Sequence, residues 1–145
     1  MATTFGEALS KIGVTIPDHL IADAEVPVII DDPQAQGDLI VVAAEDDSFD
    51  TSHVTLEPLT HKGVQAVVGE ATGNTHWLHP GLGCTGVRWG RVINHELVVG
   101  VVDVPEGETA ELIHTDEHGC NAMGPGMYVI RGKRELADEI RRVAD

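Results

Sequence analysis

The chain has 145 residues and a mass of 15.5 kDa, enough for one domain with a sizeable core. Its 24 acids against 9 Lys and Arg give a formal net charge of −15, which opposes binding by phosphate neutralisation and docking on anionic lipid. A hydrophobic content of 42% is too high for a disordered acidic tail, and five aromatic residues (Phe5, Phe49, Trp77, Trp89 and Tyr128) leave little for a stacking platform on single-stranded nucleic acid.

Two cysteines, Cys84 and Cys120, form one bridge at most, which is no secreted disulfide framework. The start of the chain lacks a basic region followed by an apolar run, and stretches such as Leu97 to Val102 are too short to span a bilayer. The expectation is a cytoplasmic protein with neither a membrane nor nucleic acid as its main partner. Charge is unevenly spread: net −11 over residues 1–60, −5 over 61–130 and +1 over 131–145. A solvated acidic surface explains this, and so does self-association of a basic C-terminal segment with an acidic one.

In chain order, Thr4 to Ile12 is predicted to be a helix. Thr4 and Glu7 have capping-box spacing, Phe5, Leu9 and Ile12 fall on one face, and Gly13 is a natural stop. A second helical turn is expected at Asp18, after Pro17. From residue 26 the pattern changes to Val-, Ile- and Thr-rich runs separated by Gly, Pro, Asn and Asp. Strands are predicted at 26–30, 38–44, 53–57, 63–69, 75–79, 87–93, 96–104, 109–114 and 127–131, with an acidic loop at 45–52. Arg134 to Ala144 is predicted to close the chain as a helix, with Leu136 and Ile140 on its apolar stripe. Strand spacings of about 8–12 residues, with no long helices between them, predict a mainly β fold: a single antiparallel β-barrel or sandwich. Residues 1–25 then form an N-terminal helical arm, and 26–145 a β-barrel domain with a C-terminal helix.

The chain has 8 histidines. His19, His53, His61 and His95 stand alone near turns and are read as surface residues. Two clusters differ: Gly73-Asn-Thr-His76-Trp-Leu-His79-Pro, and His114-Thr-Asp-Glu117-His118-Gly-Cys120. Imidazole, carboxylate and thiolate are ligands for zinc and similar metals. On a strand His76 and His79 differ in parity, so one of them should point outward unless Pro80 ends the strand. His114 and His118 share parity but lie about 13 Å apart if extended, so they meet on one ion only if Thr115-Asp116-Glu117 turns. The expected metal site is His76 with His118, completed by His114, Glu117 or Cys120. No spacing matches a zinc finger, HExxH or a CxxC pair, and Gly81-Leu-Gly83-Cys-Thr-Gly86 lacks the Lys-Ser/Thr of a P-loop. The competing reading of each cluster is a hydrogen-bonded structural histidine.

The ordered set Gln36-Gly-Asp38, Gly73-Asn-Thr-His76, Glu117-His118-Gly119, Gly124-Pro-Gly-Met-Tyr128-Val, Lys133-Arg-Glu135 and Arg142-Val-Ala-Asp145 resembles a group of small, uncharacterised β-rich proteins of actinobacteria and bacterial viruses. The resemblance covers residues 36–145 and implies one compact β domain with a C-terminal helix, without an assigned chemistry. Some of these proteins have a second histidine where this chain has Asn74. Pro105-Glu-Gly107 followed by Glu111 to His118 is distantly similar to the second cupin motif, although Asn74-Thr-His76 lacks one ligand of the first.

Two functions follow as expectations. One is a small His-lined β-barrel binding a divalent transition metal or a small ligand. The other is a non-enzymatic structural or oligomeric interaction protein, such as a virion accessory subunit of a bacterial virus.

Overall fold

The computed structural model describes residues 3–11, 28–29, 33–36, 39–67, 76–93, 95, 97–114 and 120–132. The turn expected at Asp18, the boundary at residue 25 and the C-terminal helix at 134–144 lie outside them.

The N-terminal helix α1 (Phe5–Ser10) starts where the capping-box spacing places it. The Thr4 N–H donates to Glu7 Oε1 (3.1 Å) and the Glu7 N–H donates to Thr4 Oγ1 (3.2 Å). The bond from the Thr4 backbone holds the Glu7 carboxyl below its usual range.

Eleven strands follow among the described residues: β1 (Val28–Ile29), β2 (Gln34–Gln36), β3 (Leu39–Ala43), β4 (Glu57–Pro58), β5 (Val64–Val67), β6 (His76–Pro80), β7 (Arg88–Arg91), β8 (Val98–Val104), β9 (Ala110–His114), β10 (Cys120–Met123) and β11 (Gly126–Gly132). They form a five-stranded sheet in the order β1-β10-β9-β6-β5 and a six-stranded sheet in the order β2-β3-β11-β8-β7-β4. Pairing is antiparallel except between β1 and β10. Of the two expected architectures, the described strands make the sandwich. They do not close into a barrel, because no backbone ladder joins one sheet to the other. The β4 edge is blunted: it has two residues, and its Pro58 cannot donate to a further strand.

Alternation along each strand sends one row of side chains into the space between the sheets. Leu78, Leu112 and Met123 of the first sheet meet Val41, Val102, Tyr128 and Ile130 of the second. The outer faces are covered too. Val101 and Val129, on the outer face of the six-stranded sheet, are fully buried. Residues 44–56 cross this face: Arg131 Nη1 donates to Asp47 Oδ2 at 2.9 Å, and Val54 Cγ1 lies 2.4 Å from where a Cβ on Gly90 would stand. This segment holds two short 3-10 turns, Ala44–Asp46 and Thr51–His53, where a strand at 53–57 was expected. Asp50 explains the second turn, because its side chain caps it by accepting from the Ser52 N–H. On the other side of the molecule, α1 lies against β9 and β10, with Ala8 fully buried. None of the described helices is long and apolar enough to cross a membrane.

Side chains close the two corners where the sheets meet. At one corner, Gln34 Nε2 donates to Ala122 O (3.1 Å), Gln36 Nε2 to Leu112 O (2.7 Å) and Asn121 Nδ2 to Ala35 O (3.3 Å). At the other, the Arg91 guanidinium on β7 donates to the carbonyls of Gln65 and Ala66 on β5.

Gly100 makes a tight approach in the core, since a Cβ there would sit 2.1 Å from Trp89 Cη2. Gly100→Ala is therefore expected to lose about 1–3 kcal/mol in urea denaturation. Combined with Trp89→Leu, it should lose less than the two single variants together, because the clash is with that ring.

Candidate functional site

β6 and β9 pair so that His76 stands directly opposite His114. Both continue the inward row of Leu78 and Leu112, and both are buried, at 3% and 2% exposure. Their ring centroids are 4.1 Å apart with an interplanar angle of 47°. Neighbouring positions on adjacent antiparallel strands bring two imidazoles together without any loop geometry.

Gln36 fixes one of these rings. Its Nε2 donates to Leu112 O and to Asn121 Oδ1 (2.8 Å), which leaves Oε1 turned to His76 Nδ1 at 2.9 Å. An amide oxygen only accepts, so His76 Nδ1 carries the proton. In the neutral ring the lone pair then lies on Nε2. A ring nitrogen whose partner atom is hydrogen-bonded by a neighbouring group is the usual arrangement of a metal-ligating histidine.

The residues expected at the site separate as follows. His76 and His114 come together. His118 and Glu117 lie outside the described residues. Cys120 stands opposite Ile113 in the β9–β10 register, one position out of phase with His114, and so belongs to the other face of the sheet. Burial, and next the nearby Glu111 carboxylate, push the Cys120 thiol far up, which keeps it protonated and a poor ligand or nucleophile. Among the described residues, no group of three His, Cys, Asp or Glu side chains is placed to hold a metal ion.

The parity argument for His76 and His79 holds, but neither points into solvent. His79 is 3% exposed on the outer face, opposite Glu111 in the register. Glu111 is 1% exposed and pairs with Lys11, just after α1, so the helix end is fastened to the middle of the sheet. Gly63 packs on the His79 ring: a Cβ there would lie 2.6 Å from Nε2, and its φ of +69° favours glycine independently. Among the described residues, His79 Nε2 has no hydrogen-bond partner. Burial holds the His79 pKa below its ordinary value, and Lys11 lowers it further. A backbone hydrogen bond with His61 and the Glu111 charge partly oppose this.

Sequence reasoning missed the roles of Gln36 and Glu111. Glu111 carried a usable signal, a lone acid inside the apolar run 109–114. Gln36 carried none beyond the period-2 pattern of Gln34-Ala-Gln36. Two of the isolated histidines occupy turn and surface positions as expected. His95 Nδ1 accepts from the Leu97 N–H (3.1 Å) and the Val98 N–H (2.9 Å). His53 is exposed beside Asp50.

A family model described as a domain of unknown function, DUF8820, matches residues 35–133, and the chain belongs to that family. The matched span holds Gln36, His76, His79, Glu111 and His114. No curated protein and no solved structure matches the chain.

Because burial lowers the His79 pKa in the folded state, the unfolded chain binds more protons there as the pH falls through the ordinary imidazole value of 6.5. Stability should therefore decline from about that pH downward, until the folded-state pKa is passed. In urea denaturation between pH 7.5 and 5, the pH slope should be flatter in His79→Gln than in the wild type, whatever the variant's stability at neutral pH.

Proposed function

For this member of the DUF8820 family we propose a metal-binding module, in which His76 Nε2 and a ring nitrogen of His114 are two ligands to a divalent transition metal. The connection 115–119, which follows His114 directly and carries Glu117 and His118 in its sequence, supplies the remaining ligands. The observation that supports this reading is the registered imidazole pair, together with the Gln36 amide that sets the His76 tautomer. Two imidazoles with a carboxylate or a third imidazole suit zinc and its neighbours. A position left open to water or substrate would allow the ion to polarise an oxygen. Cys120, on the opposite face, is not a ligand in this reading.

A second reading is favoured by one feature: the Gln36–His76–Asn121 network lies at a corner of the sandwich. There it fastens β2 to β9 and β10, as a purely structural or interaction protein would need. The two readings separate on metal affinity. Chelator-treated protein titrated with Zn²⁺ by calorimetry should bind one ion. His76→Ala and His114→Ala should each abolish that binding, and His118→Ala should weaken it. Cys120→Ser should leave it unchanged. Gln36→Leu should weaken it by about 10–100-fold, as expected for a group that orients a ligand. Equal affinity in the wild type and the histidine variants, or no binding of Zn²⁺, Co²⁺ or Ni²⁺, would leave the structural reading standing.

A further inference from the structure

The outer face of the five-stranded sheet carries a second cluster of titratable groups, which shares no residue with the His76–His114 pair. Glu111 on β9 stands opposite His79 on β6, and the Lys11 ammonium pairs with the Glu111 carboxylate from just beyond the end of α1. Glu111 and His79 are both buried. We infer that this cluster is an acid-sensitive latch: a proton taken up by His79 replaces the Lys11 charge beside Glu111 and releases α1 from the sheet, while the sandwich stays folded.

The ring is arranged to receive that proton. His79 makes a hydrogen bond with the His61 backbone, and Nε2 has no partner among the described residues, so the bond is made by Nδ1 donating to the His61 carbonyl. In the neutral ring Nε2 then carries a lone pair that nothing occupies. Protonation places a positive charge over both ring nitrogens, and that charge acts on Glu111 and Lys11 without needing a direct hydrogen bond to either.

Two cations then share one buried carboxylate, and only one of them is free to leave. His79 is fixed in the middle of a sheet by its strand, by Gly63 packed on its ring and by Trp77, whose ring centroid lies 6.1 Å away. Lys11 sits at the end of a short helix with its side chain 18% exposed, so it can turn into water. The six-residue helix α1 is too short to persist without its contacts to β9 and β10, so losing the ion pair undocks it.

The linkage has a definite sign. Burial, and next the Lys11 charge, lower the His79 pKa in the docked state, and undocking removes the Lys11 charge. The undocked state therefore binds protons more readily, and docking weakens as the pH falls below the ordinary imidazole value of 6.5. The other titratable side chains near the latch do not compete over this range. The Cys120 thiol on β10 is already protonated, and the Thr4 backbone N–H holds the Glu7 carboxyl of α1 below its usual range, so the helix cap stays intact.

The test is an NMR pH titration of the full chain from pH 7.5 to 5. The Ala8 methyl and the α1 amides report on docking, and the methyls of Val101, Val129 and Ile130 report on the sandwich. The α1 signals should move toward random-coil positions as the pH falls, with the docking equilibrium weakening by at most about tenfold per pH unit. The sandwich signals should keep their native positions. In His79→Gln the movement should vanish. In Lys11→Met, α1 should be undocked already at pH 7.5, and His79 should titrate at higher pH than in the wild type. That last measurement does not depend on His79→Gln folding. Signals of α1 that stay in place down to pH 5, or that move equally in His79→Gln, would overturn the latch. Joint movement of the α1 and sandwich signals would replace it with global unfolding. An unchanged His79 titration in Lys11→Met would overturn the coupling between the two residues.

Discussion

The carboxamide of Gln36 holds the corner on which both the sandwich and its inner histidines depend. It is 2% exposed and makes hydrogen bonds to a strand carbonyl, to the Asn121 side chain and to His76 Nδ1. A buried amide without partners costs several kcal/mol, whereas each bond made contributes only about 0.5–1.5 kcal/mol net. The group is therefore worth burying only because every bond is satisfied at once. That condition fixes the amide's orientation, and the orientation fixes the His76 tautomer. A structural fastening and the electronic state of a candidate ligand are thus set by one side chain.

The five-stranded sheet differs from a simple half-buried sheet because both faces are covered. Its inward face packs on the second sheet, and its outward face lies under α1 and the turn at Gly63. Alternation therefore decides which layer a residue joins, without deciding whether it meets water. His76 and His79 obey the period-2 rule and are both buried. Polar groups in the outer layer need partners there, and Glu111 finds Lys11 across a sequence separation of 100 residues. Six residues of helix are too short to be stable alone. The capping box, the burial of Ala8 and this ion pair explain why α1 forms here.

Much of the secondary structure was legible in the sequence, because it rests on local signals. Thr4 and Glu7 predicted the helix start. The Val-rich runs predicted β3, β8 and β11, and the Pro105-Glu-Gly107 turn separates β8 from β9. β2 and β10 were not legible. Gln34-Ala-Gln36 and Cys120-Asn-Ala-Met123 are short and largely polar or small, and their strand character comes from partners far along the chain. The 53–57 run has β-type residues, but the Asp50 cap winds its start into a 3-10 turn. Choosing the sandwich over the barrel required knowing which edges stay unpaired, and that depends on side-chain bonds from Gln34, Gln36 and Arg91.

The histidine pairing shows the same limit. Parity restricts which residues of one strand share a face, but it carries no register between strands. The sequence pointed to His76 with His118, completed by His114, Glu117 or Cys120. The β6–β9 register places His114 opposite His76, so that imidazole is reached across the ladder and not along the strand.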